Sequence, residues 1–105
     1  MTTPVRSRAD VLERLREVEA EIRGLGVRRL ALFGSFARSE PRPDSDVDLL
    51  VEFAPGQKNL DRFTRLFDLL EERLARRVEL VTTEALSPYI GPHILAEAED
   101  VVRAA

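Results

Sequence analysis

Cysteine is absent from the 105-residue chain, and histidine occurs once. Without cysteine there are no disulfides, thiolate metal sites or cysteine nucleophiles, and a cytoplasmic location is the expectation. A single imidazole leaves little from which to build histidine metal cages or histidine-based triads. An excess of positive charge is also lacking. The formal net charge is −3, so the chain as a whole is not built to coat nucleic acid, and no direct nucleic-acid binding is expected. No apolar run approaches the ~20 residues of a membrane span, so no membrane association is expected. The N-terminal "MTTPVRSRADVLERL" becomes charged before any signal-like apolar core forms. Internal repeats and low-complexity segments are missing too. The chemistry left to the chain is that of carboxylates, hydroxyls and guanidinium groups.

What is present reads as one globular domain over residues 1–105. Hydrophobic residues make up 44% and charged residues 33%, enough for one modest core. Ser7 and Asp10 resemble a capping box with Asp in place of Glu. Val11, Leu12, Leu15, Val18 and Ile22 then recur at helical spacing, which predicts one helix over 7–24. Residues 27–33, "VRRLALF", read as a strand covered on both faces. A Gly-Ser turn, a short helical turn and the loop "EPRPDS" follow, since two prolines cannot continue a central strand. Residues 46–53, "DVDLLVEF", read as a second strand. Residues 59–75 read as a helix with Leu60, Phe63, Phe67, Leu70 and Leu74 in one stripe, widened by Leu66 and Leu69. "RRVELVT" at 76–82 reads as a third strand. Residues 84–99 look helical with interruptions at Pro88 and Pro92, and the tail "DVVRAA" suggests a short edge strand. The order αβ(α)βαβα predicts an α/β (α+β) fold, helices against a small mixed sheet.

Strand alternation sorts the second strand. Val47, Leu49, Val51 and Phe53 share one face; Asp46, Asp48, Leu50 and Glu52 share the other. Asp46 and Asp48 lie about 7 Å apart along the backbone, so their carboxylates can converge. Two like charges so close call for a cation between them, and oxygen ligands suit Mg²⁺. Glu79 is the one acid inside the third strand and would join them if that strand pairs with the second. Three carboxylates on adjacent strands suit a metal-assisted phosphoryl displacement. Gly34 and Ser35 follow a strand and open a helical turn, where backbone N–H groups attract phosphate. Arg38, one turn on, adds positive charge, and Arg42 is a looser candidate. No Gly-Lys-Ser/Thr follows, so this is not a Walker A loop.

Gly34-Ser35, ten intervening residues and Asp46-Val47-Asp48 resemble the signature of the DNA polymerase β-like nucleotidyltransferase superfamily. "GSFARSEPRPDSDVDLLVEF" is most similar to the minimal nucleotidyltransferases (MNT), including the antitoxins of HEPN/MNT toxin–antitoxin pairs. "VELVTTEALSPYIGPHILAEAEDV" also looks like that group's C-terminal part, so the resemblance spans residues ~27–102. It implies that Asp46 and Asp48 bind Mg²⁺ and a nucleoside triphosphate. Glu79 takes the third carboxylate position as a metal ligand and helps deprotonate the acceptor, and Gly34, Ser35 and Arg38 hold the triphosphate. It further implies transfer of AMP from ATP to a tyrosine of a HEPN toxin encoded nearby. Ser39 departs from the pattern, because many relatives carry Gly there. A positive φ at that position would strain a serine.

Two other functions compete. One is a non-catalytic antitoxin that neutralises its partner by binding. The other is a small-molecule nucleotidyltransferase completed by a helical partner subunit. A chain of this size has no room for template-gripping domains, so a separate subunit is expected to supply the acceptor. His93 reads as a surface or packing residue, and Tyr89, the sole tyrosine, as packing.

Overall fold

The computed structural model describes residues 3–103. The helices are α1 (Arg8–Glu17), α2 (Glu19–Gly24), the single turn α3 (Gly34–Ala37), α4 (Leu60–Leu74) and α5 (Gly91–Glu97). The strands are β1 (Val27–Phe33), β2 (Val47–Phe53), β3 (Val78–Thr82) and β4 (Glu99–Arg103), and a 3₁₀ turn spans Thr83–Ala85.

The strands lie in the order β3-β2-β1-β4. β1 runs antiparallel to both β2 and β4, while β3 runs parallel to β2. The parallel pair needs a crossover, which α4 supplies. The sheet is therefore mixed, and the fold is the α+β architecture expected. The C-terminal tail does form an edge strand, on β1.

Alternation along β1 and β2 divides the core. Leu30, Leu32, Val47, Leu49, Val51 and Phe53 face α1, α2 and α4 and join Val11, Leu15, Ile22, Leu66, Leu70 and Leu74 in one cluster. Ala31, Phe33 and Leu50 face the other way and are covered by Leu86, Ile94 and Ala98. Both faces are thus filled, as the apolar end of β1 suggested.

Several boundaries differ from expectation. The helix read over 7–24 is two helices, broken at Val18 (φ −115°, ψ 18°). The Val18 N–H turns to the Leu15 carbonyl at 3.2 Å, and the kink keeps both Val18 and Ile22 buried. The cap at Ser7 forms as read, with Ser7 Oγ accepting from the Asp10 N–H at 3.1 Å; Asp10 reaches back to the Arg6 N–H at 3.0 Å. β2 begins at Val47 and β3 at Val78, one and two residues later than read. In α4 the fully buried line is Leu66, Leu70 and Leu74, while Leu60 is 81% exposed. The helix over 84–99 shrinks to α5, because the Ser87 hydroxyl accepts from the Tyr89 and Ile90 N–H groups and turns the chain there. Pro92 does not interrupt α5; it sits in the first turn, where a missing N–H is harmless. Tyr89 does not pack and is 85% exposed.

Candidate active site

The site forms where β1 ends and β2 begins. Antiparallel register sets Phe33, the last residue of β1, opposite Asp48, and parallel register sets Glu79 of β3 opposite Asp48 from the other side. Asp48 is therefore the central carboxylate, flanked by the β1 exit and by Glu79. Asp46 sits just outside the strand, two residues earlier, and its Oδ1 lies 4.0 Å from Arg77 Nε.

Gly34 has φ +75°, a conformation that a side chain resists. A Cβ there would lie 2.0 Å from Asp48 Oδ2 and 2.9 Å from its Cγ. The sequence suggested that this glycine admits phosphate. The structure adds that its bare backbone also seats the Asp48 carboxylate.

Crowding of acids has an electrostatic consequence. Partial burial, contact with the Glu79 carboxyl and the negative charges of Glu79 and Asp46 push Asp48 up from 3.8 to about 7. The Arg38 guanidinium opposes that shift. Repulsion of this kind is what a bound cation relieves. Among the described residues no three acidic or imidazole groups stand close enough to cage an ion by themselves. An all-oxygen, open set still fits Mg²⁺, which takes one or two carboxylates and fills its shell with water and substrate phosphates.

The turn beyond Gly34 is tightly tied. Arg38 N–H donates to the Gly34 carbonyl at 3.1 Å, Ser39 N–H to Phe36 at 3.2 Å and Glu40 N–H to Ser35 at 2.9 Å. Ser39 takes φ +58°, the left-handed conformation that strains a serine and that the sequence flags at this position. Ser35 is half-buried in the first turn of α3, and Arg38 projects from its C-cap. Arg38 does not stand free: it pairs with Glu97 of α5 and lies 3.8 Å from Glu40. Arg42 is exposed in the loop, and His93 is exposed on α5.

One positioning residue has no sequence signature. Arg76 Nε donates to the Val5 carbonyl at 3.0 Å. Its Nη1 donates to the carbonyls of Arg42, Pro43 and Ser45 at 3.2, 3.0 and 2.9 Å. The guanidinium also lies 5.2 Å from the centre of the Phe36 ring. It thus ties down the proline loop immediately before Asp46. Two prolines leave that loop short of backbone donors, and the need for an outside donor was the only available hint.

A family profile described as a nucleotidyltransferase domain matches residues 12–101. A protein adenylyltransferase of Thermococcus cleftensis is 42% identical over 72 residues, covering 69% of this chain and 72% of that relative. A solved structure described as a minimal nucleotidyltransferase is 39% identical and superposes with a TM-score of 0.69 over 84% of this chain and 93% of that one. The fold alone is shared with a chain of the complex between a tri-AMPylated Shewanella oneidensis HEPN toxin and its MNT antitoxin. There the identity is 19% and the TM-score 0.56, over 85% of this chain and 72% of the other.

Proposed function

The chain belongs to the nucleotidyltransferase domain family, and on that premise we propose that it transfers AMP from ATP to a tyrosine of a HEPN toxin and so acts as an antitoxin. The observation that carries this reading is the seating of Asp48 between the Gly34 turn and Glu79. That arrangement joins a triphosphate cradle and a carboxylate set in one place.

Asp46, Asp48 and Glu79 would hold Mg²⁺ together with the triphosphate. When bound, the ion stabilises charge developing on the phosphates. The chain's own groups then do the rest. The Gly34 and Ser35 N–H groups and the Ser35 hydroxyl hold the triphosphate, and Arg38 adds charge at its edge. An acceptor hydroxyl attacks the α-phosphorus, the bond to the β-phosphate oxygen breaks, and pyrophosphate leaves. The hydroxyl proton passes to Glu79. Glu79 is exposed on the edge strand β3, where a hydroxyl on a second protein can reach it.

Support for a protein acceptor comes from the T. cleftensis relative, a protein adenylyltransferase, and from the shared fold of the MNT–HEPN complex. Neutralisation by binding alone is favoured by one observation: Tyr89, Ile90 and Leu95 are 85%, 60% and 45% exposed around α5. Incubation with α-labelled ATP, Mg²⁺ and the product of the adjacent reading frame separates the two. Label on that product, lost in Asp46→Asn/Asp48→Asn, is the expected result. A double variant that neutralises the partner fully, with no label moved by wild type, would favour occupancy.

A further inference from the structure

Arg38 is held by two acids of unequal standing. Glu40 is 73% exposed and lies in the loop after the turn. Glu97 is 28% exposed, is the last residue of α5, and accepts a hydrogen bond from Arg38 Nη1 through Oε1.

The chain around Glu97 is anchored on several sides. Antiparallel pairing sets Glu99 opposite Leu32. Glu97, two residues earlier, therefore lies at the end of the sheet where β1 leads into α3, and α5 packs against α3. Arg8 Nε donates to Glu99 Oε2 at 2.6 Å, and Arg29 Nε donates to Asp100 Oδ1 at 2.5 Å. The Ala98 N–H closes the end of α5 onto the Ile94 carbonyl at 2.8 Å. Glu97 thus sits on a fixed frame, while Arg38 is 52% exposed on a long stem.

An arginine loses about 2 kcal/mol of rotamer freedom when it is ordered. Ordering before the ligand arrives removes that penalty from binding. The held position is also a useful one. Paired with Glu97, Arg38 closes the single turn that begins at Gly34 and Ser35, and a guanidinium has further N–H donors to offer a phosphate.

We infer that Glu97 is a positioning residue for the nucleotide: it holds the Arg38 guanidinium at the end of the turn that begins at Gly34, so that the triphosphate meets an already placed cation. This rests on the reading of Arg38 as a nucleotide-binding residue. The rival effect has the opposite sign, since an acid that merely competed with phosphate for Arg38 would weaken binding.

The test is the KM for ATP and kcat of label transfer in wild type, Glu97→Ala, Glu97→Gln, Arg38→Ala and the Arg38→Ala/Glu97→Ala double variant. Loss of one partly exposed ion pair should raise KM roughly two- to fivefold in Glu97→Ala, with kcat little changed. Glu97→Gln keeps an acceptor oxygen and should fall between that variant and wild type. Arg38→Ala should raise KM at least as much, and adding Glu97→Ala to it should have no further effect. An unchanged or lowered KM in Glu97→Ala, alongside a raised KM in Arg38→Ala, overturns the inference while sparing Arg38. Additive effects in the double variant overturn it as well. An unchanged KM in Arg38→Ala removes the nucleotide-binding reading of Arg38, and this inference with it.

Discussion

Three residues govern the local chemistry. Gly34 at φ +75° lies under the Asp48 carboxylate, and a methyl group there would overlap Oδ2 at 2.0 Å. Gly34→Ala must move either the turn or Asp48. We expect it to lose about 2 kcal/mol of stability, by chemical denaturation, and its transfer activity. Asp48 carries a pH signature. Its carboxyl titrates near 3.8 when unfolded and about 7 when folded. Between those values the unfolded chain releases the proton first, so stability declines as pH rises from 4 to 7 and then levels off. In metal-free protein, Asp48→Asn should therefore melt higher than wild type at pH 8, with the difference closing at pH 4. A gap independent of pH would contradict the shift. Ser39, at φ +58°, pays a backbone strain that glycine avoids. Ser39→Gly should gain roughly 0.5–1 kcal/mol in denaturant melts.

At the scale of elements, short connections decide where the carboxylates stand. α4 ends on Ala75, which is left-handed at φ 51° and caps the Glu71 carbonyl at 2.9 Å. The next residue, Arg76, fastens the loop that delivers Asp46. Arg76→Ala would leave the partly buried carbonyls at Val5 and Ser45, and the exposed one at Pro43, without this donor. We expect a loss of about 2 kcal/mol and weaker nucleotide binding, with stability read by denaturation and affinity by calorimetry. Period-two alternation made legible that Asp48 and Glu79 share a face once β3 pairs with β2; Asp46 lies just outside β2, beyond the reach of that rule. The sequence also exposed Gly34, Ser35 and the problem at Ser39. Arg76 and Glu97 were not legible. Their partners lie 31 to 71 residues away for Arg76 and 59 away for Glu97. Such contacts follow from sheet order and loop path rather than from local pattern. The break at Val18 escaped for a related reason. Helical spacing is kept on both sides of it, and only curvature around the core demands a kink.

Across the whole molecule, the mixed sheet brings three distant segments together at one end of its strands. β1 supplies the Gly34 turn, β2 supplies Asp48 with Asp46 before it, and the parallel strand β3 supplies Glu79. β4 closes the other edge and carries the frame on which Glu97 holds Arg38. Among the described residues no helix is long and apolar enough to cross a membrane. On the proposed function, a divalent cation and a triphosphate together complete this assembly. Titration of Mg²⁺ by calorimetry, with and without a non-hydrolysable ATP analogue, separates this from independent binding of either. Tight Mg²⁺ binding is expected only with the nucleotide present, and is expected to be lost in Asp46→Asn and in Asp48→Asn. Mg²⁺ and nucleotide binding that persist unchanged in Asp48→Asn would contradict it.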